Sequence, residues 1–155
     1  GPIINSALKA QELLEKYGVS ADVWSATNYK QLRSDALNCQ RWNMLHPDEA
    51  PKVSYVESTL AAEEGVFVAV SDNIKAVPDQ IAPWVPGGMM TLGCDGFGRS
   101  ESRENLRRFF EVDAECTVIA TLYELSRKGT IGKEVVAQAI KDLGVDPEKV
   151  FPVIL

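Results

Sequence analysis

Histidine is almost missing from this 155-residue chain, and His46 is the only one. That excludes a multi-histidine metal centre, and a Ser-His-Asp triad would need His46 itself as its base. Cysteine is sparse and odd in number: Cys39, Cys94 and Cys116. None of the three forms a C-x-x-C pair, which favours a reducing compartment over a disulfide scaffold or redox motif. No apolar run approaches the roughly 20 residues that cross a bilayer. No charged-then-apolar leader opens the chain, so it reads as soluble and not secreted. Positive charge is in deficit, with 16 Lys and Arg against 22 Asp and Glu, a formal net charge of −6. Nucleic acid is disfavoured as a partner, because phosphate binding needs clustered cations. The densest basic cluster, Arg99, Arg103, Arg107 and Arg108, is interleaved with Glu101 and Glu104 and reads as a solvated or interface face. The acidic stretches "AAEEG" and "PDEAP" lack the oxygen-ligand spacing of a calcium loop. There is no internal repeat and no low-complexity segment.

What is present is a globular balance, 45% hydrophobic and 25% charged, enough for one domain with a sizeable core. Gly1-Pro2 reads as the remnant of a cleaved tag, leaving residues 3–155 as that domain. Ile3, Ala7, Ala10, Leu14 and Tyr17 recur at helical spacing, with Gly18 as the stop. "ADVWSAT" (Ala21 to Thr27) has strand composition, and Asn28 is placed to cap a helix through "YKQLRSDAL". "NCQRWNMLHPDEAPKV" reads as irregular, with Pro47 and Pro51 forbidding a continuous helix. Ser54 is placed to cap "YVESTLAAEE". "GVFVAVS" (Gly65 to Ser71) and "GMMTLG" (Gly88 to Gly93) read as buried parallel strands, and "VPDQIAPWV" between them as a helix broken near Pro83. Asp113 is placed to cap "AECTVIATLYELSRK", closed by Lys128 and Gly129, and Gly144 ends "KEVVAQAIKDL". The tail "DPEKVFPVIL" is apolar enough to dock against something. Alternating strand and helix predict an α/β fold with a mostly parallel sheet covered on both faces. Only three strands are evident, and the chain opens in a helix, so the expectation is that part of the sheet lies upstream.

Three places invite a chemical reading. In "GCDGFGRS" the spacing is Gly93, Gly96, Gly98, which matches neither the dinucleotide fingerprint nor a Walker loop. Strand before and helix after leave an anion site over Gly93 to Ser100 open. Spacing favours a tight corner instead, in which Gly96 and Gly98 supply the bend, Asp95 faces Arg99, and Ser100 caps the next helix. In "RWNMLHP", Trp42 and His46 lie close together. His46 is a conceivable acid or base, but without a nucleophile beside it the segment reads as an anchor, with Trp42 and Met44 buried and His46 bonded to backbone. Cys94 sits at a strand end, where α/β proteins place reactive groups, yet lone buried thiols are commonly inert. Residue by residue, the chain has core patterning without a self-sufficient active site.

"CQRWNMLHP", "GCDGFGRSESRENLRRFFEVDA" and "GKEVVAQAIKDLGVDPEKVFP" together resemble the C-terminal region of homodimeric pyruvate dehydrogenase E1 components, thiamine-diphosphate enzymes of the transketolase superfamily. The likeness runs over essentially the whole chain after Gly1-Pro2. It implies a three-layer α/β/α domain lacking the family's first strand. It also implies a parent enzyme that decarboxylates pyruvate on thiamine diphosphate with Mg²⁺ and passes the acetyl unit to a lipoyl group. The implied partners are the N-terminal and middle domains of the same chain, a second E1 subunit and the E2 dihydrolipoyl acetyltransferase. The compartment implied is cytoplasm in a bacterium or the mitochondrial matrix in a eukaryote. The family's cofactor motif, G-D-G with downstream N-N, does not occur here, so the resemblance carries over no catalytic, cofactor or metal residue. Asp95, Gly96, Gly98, Arg99, Ser100 and Arg103, with Trp42 and His46, remain structural or interface candidates.

Overall fold

A computed structural model describes residues 2–94, 108 and 110–150. In chain order they form α1 (Pro2–Glu15), α2 (Tyr29–Leu45), α3 (Tyr55–Leu60), β1 (Val68–Val70), α4 (Ala76–Asp79), a 3-10 turn (Ala82–Trp84), β2 (Met90–Leu92), α5 (Ala114–Arg127) and α6 (Lys133–Asp142). β1 and β2 pair in parallel with Val68 opposite Met90, Ala69 opposite Thr91 and Val70 opposite Leu92. The strands were expected from Gly65 to Ser71 and Gly88 to Gly93, and only their centres carry the ladder.

Strand alternation sorts the side chains into two layers. Val68, Val70, Met90 and Leu92 face Ala120 of α5, Val112 and Ile3. Phe67 and Met89 belong to the opposite cluster, with Val56, Ile81, Val85, Tyr29, Leu32 and Trp84. Helices therefore cover both faces of the sheet, the α/β/α layering expected from the alternation of elements.

α5 is the central element. Val118 and Leu122, one turn apart and fully buried, meet Ala10 and Leu14 of α1 and Ala139 of α6. Ala120, on another side, meets the strands. Small residues there let helix and sheet approach closely. Two hydroxyls of α5 are satisfied within the helix: buried Thr117 donates to the Asp113 carbonyl and half-buried Thr121 to the Thr117 carbonyl, both at 2.8 Å.

Local capping chemistry sets the helix ends. Asn28 accepts from the Gln31 amide at 3.0 Å and Ser54 from the Glu57 amide at 3.3 Å. α1, α5 and α6 each stop at a glycine with positive φ: Gly18 (73°), Gly129 (79°) and Gly144 (67°). Beyond each glycine the next amide reaches back five residues: Val19 to Leu14, Thr130 to Leu125 and Val145 to Ile140. This satisfies carbonyls that the helix end would orphan.

Two expectations are corrected. The segment Ala21 to Thr27 is not a strand: no strand lies beside it among the described residues, and it carries no ladder. Strand-like composition needs a partner to become a strand. α2 does not end before Asn38 but continues through Leu45, 17 residues in all. Nothing between Leu37 and His46 breaks a helix, and Pro47 stands just beyond. Arg108, the one described member of the basic cluster read as a solvated or interface face, has a 41% exposed side chain. It pairs with Asp113, approaches Glu115 at 3.5 Å, and donates to the Gly144 carbonyl at 3.4 Å.

Asp113 caps α5 by accepting from the Cys116 amide at 2.9 Å, while its other oxygen holds Arg108. Burial opposes the Arg108 charge, but the Asp113 hydrogen bond and carboxylate outweigh it and hold the guanidinium above its ordinary value. Asp113→Ala removes both the cap and the ion partner and is expected to cost about 2 kcal/mol. Asp113→Asn keeps the cap and loses less. Paired urea denaturation curves check the order, and an equal loss in both would mean that the cap contributes nothing.

Burial, reinforced by the Asp113 hydrogen bond and charge, pushes the Cys116 thiol far above its usual 9.0. Burial also raises Tyr29, and burial with the Asp142 bond raises Tyr17. These acids stay protonated in the folded chain while the unfolded chain ionises. Their contribution is complete below the unfolded values and is lost as pH rises. Stability is expected to decline above about pH 9, by up to about 1.4 kcal/mol per pH unit from Cys116 alone. Cys116→Ala should flatten the first part of that decline, measured as unfolding free energy between about pH 8 and 10.5. An unchanged slope would assign it to the tyrosines.

Candidate functional site

The residues singled out from sequence fall into two places. Trp42 and His46 lie four apart on α2 and share one helix face. Their rings stack with centroids 4.2 Å apart and planes 13° from parallel. His46 Nδ1 lies 2.7 Å from the Trp42 carbonyl, so it carries the hydrogen and donates. The Lys52 ammonium sits 4.4 Å from the Trp42 ring centroid, a cation–π contact. Asn43 fixes this arrangement: its amide donates to the Lys52 carbonyl at 2.9 Å and accepts from the Lys52 amide at 2.7 Å. His46, at the end of α2, is thus bonded to backbone as expected. Trp42 is half-buried, but Met44, expected to be buried, is 71% exposed. Helical continuation to Leu45 turns Met44 outward, away from Trp42.

The second place is the glycine corner. Asp95, Gly96, Gly98, Arg99, Ser100 and Arg103 lie outside the described residues. Its first two positions are described. A Cβ on Gly93 would come within 2.8 Å of both the Asn73 carbonyl oxygen and the Lys75 amide nitrogen. The Cys94 amide donates to that same Asn73 carbonyl at 2.9 Å, and the Ser71 hydroxyl accepts from the Asn73 amide at 3.0 Å. Gly93 is therefore required by a close backbone crossing at the end of β2. The Cys94 thiol points towards the Ser71 carbonyl at 4.0 Å. No disulfide joins Cys39, Cys94 or Cys116.

The structure does not bring the two places together: His46 belongs to the α2–α3 layer and Cys94 to the cluster between sheet and α5. Among the described residues, no group of three or more His, Cys, Asp or Glu is arranged to hold a metal ion, and no helix is long and apolar enough to cross a membrane. Sequence reading passed over a cleft of about 190 Å³ between α2, α3 and the 3-10 turn. Its Lys52 and Glu57 are ordinary surface residues in sequence, and only the folding of Trp84 against α2 makes a cleft of them.

The transketolase-like TK C-terminal domain family matches residues 1–113. The pyruvate dehydrogenase E1 component of Pseudomonas aeruginosa is 46% identical over 154 residues, covering 98% of this chain and 18% of that protein. The one of Escherichia coli K12 is also 46% identical, covering 98% of this chain and 17% of that protein. That of Mycobacterium tuberculosis is 40% identical over 153 residues, covering 98% and 16%. The chain thus spans less than a fifth of the length of these curated relatives. On the family match, which takes in α1 through β2, this chain belongs to the transketolase-like TK C-terminal domain family.

Proposed function

We propose that this chain is the C-terminal domain of a pyruvate dehydrogenase E1 component and serves it by packing and assembly, without contributing a catalytic group. The observation that carries this reading is 46% identity along 98% of the chain to proteins of which it covers only 17–18%. On this reading, the parent oxidatively decarboxylates pyruvate and passes acetyl to the lipoyl group of E2. Its thiamine diphosphate and Mg²⁺ supply the carbanion chemistry elsewhere in the parent. The described residues do not fit that pair by themselves. Among the described residues there is no acidic or histidine cluster for the metal. The domain's partners are the preceding domains of the same polypeptide, the second E1 subunit and E2, and its compartment is the cytoplasm in bacteria. The rival reading is an anion or nucleotide module at the Gly93 to Ser100 corner, of which only Gly93 and Cys94 lie among the described residues.

Two outcomes follow in the parent enzyme. His46→Gln should leave the decarboxylation kcat and the cofactor affinity within about twofold, because an anchor acts on local packing and not on the transition state. A tenfold fall in kcat with an unchanged melting temperature would instead make His46 catalytic. Gly93→Ala should lower unfolding stability by about 1–3 kcal/mol through the backbone clash. If that variant is as stable as the wild type but loses affinity for phosphate or nucleotide, the anion module is the better reading.

A further inference from the structure

Beyond α6 the chain folds back over the turn that leads into α5. From Gly144 to Val150 no side chain is buried, so core packing does little to hold this segment. It is compact in itself: the Asp146 carboxylate accepts from the Glu148 amide at 2.9 Å, and the Asp146 carbonyl from the Lys149 amide at 3.4 Å. That turn presents the Lys149 side chain. Its ammonium donates to the Arg108 carbonyl at 2.9 Å and lies 3.6 Å from the Glu111 carboxylate. At the other end of the segment, the Gly144 carbonyl accepts from the Arg108 guanidinium at 3.4 Å. Both ends are thus tied to Arg108 and Glu111. Glu111 is the one non-glycine residue with positive φ among the described residues, at 63°. Such a conformation persists only where the surroundings over-determine it. Val112 follows at 0% exposed, and Arg108 precedes, paired with Asp113. The Glu111 amide closes the turn on the Arg108 carbonyl at 3.2 Å, the same oxygen that takes Lys149.

Segment and turn line a hollow of about 170 Å³, with Arg108, Glu111 and Cys116 from one and Gly144, Asp146 and Lys149 from the other. Cys116 is 9% exposed. Its thiol feels the charges around the hollow: after burial and the Asp113 carboxylate, Glu111 raises its pKa and Arg108 lowers it. We propose that residues 144–150 form a strap, latched by the Lys149 ammonium on the Arg108–Glu111 turn, and that release of this latch opens the hollow and uncovers the Cys116 thiol. The strained backbone at Glu111 favours release, and the Lys149 contacts oppose it. α5 need not unfold for the strap to lift, because Val118 and Leu122 are packed by Ala10, Leu14 and Ala139 and not by residues 144–150. The strap does not depend on the E1 reading.

The test follows alkylation of Cys116 by N-ethylmaleimide at fixed pH, with Cys39 on α2 as the control, read by mass spectrometry beside amide hydrogen exchange of the same chain. Lys149→Met should speed Cys116 alkylation about tenfold, the loss of one charge-assisted contact. The Cys39 rate and the exchange of the Val118 and Leu122 amides should stay unchanged, which also establishes that the fold is kept. Lys149→Arg, which keeps the cation, should alkylate within about threefold of the wild-type rate. A Cys116 rate that Lys149→Met leaves unmoved overturns the proposal. So does a rise matched by the Val118 and Leu122 amides, which is global unfolding. A Lys149→Arg rate equal to that of Lys149→Met overturns it as well, because the cation is then not the latch.

Discussion

The Asp113 carboxylate is the contact on which most of this fold depends. α5 is buried on two sides, so the amides of its first turn cannot be left to water. Asp113 satisfies one of them at Cys116. Doing so places a nearly buried carboxylate at the helix start, and a buried charge without a partner is costly. Arg108 answers it and in the same position reaches Glu115 and the Gly144 carbonyl. Glu115 in turn pairs with Lys9 of α1 at 3.4 Å. One cap thus ties together the start of α5, the end of α6 and the middle of α1. Those three helices bury Leu14, Val118, Leu122 and Ala139 between them.

The features legible in the sequence are those decided within a few residues. Gly18, Gly129 and Gly144 could be read as stops because a positive φ is a local requirement. Asn28, Ser54 and Asp113 could be read as caps because the amide each accepts from is three residues away. The two strands, their parallel pairing and the helices on both faces followed from apolar runs and from the alternation of elements. The errors lie where a distant partner decides. "ADVWSAT" has strand chemistry but no ladder. The partners of Arg108, Asp113 and the Gly144 carbonyl, come to it only in the fold. Of the two prolines in "NCQRWNMLHPDEAPKV", only the first, Pro47, limits α2, which therefore runs to Leu45.

The candidate site was legible to a different degree. The proximity of Trp42 and His46 was evident, yet their stacking depends on α2 continuing, which places positions four apart on one face. Once the segment is helical, the bond from His46 Nδ1 to the Trp42 carbonyl and the exposure of Met44 both follow. The role of Gly93 could not be seen from spacing at all. The clash that demands glycine comes from Asn73 and Lys75, across the chain crossover, and not from its own loop.

Two hollows among the described residues are both small, so shape alone does not separate them. One, of about 170 Å³, is lined by Arg108, Glu111, Cys116 and Lys149. Its charges are already committed: Arg108 to Asp113 and Glu115, and Lys149 to Glu111 at 3.6 Å and to the Arg108 carbonyl at 2.9 Å. A ligand entering there must first break pairs that hold α5 to the chain after α6, so its affinity is reduced by what those pairs contribute to stability. In the α2–α3 cleft the Lys52 ammonium lies 4.4 Å from the Trp42 ring centroid, while Glu57 has no ion partner among the described residues. Committed charge, more than volume, marks a place where the protein binds itself.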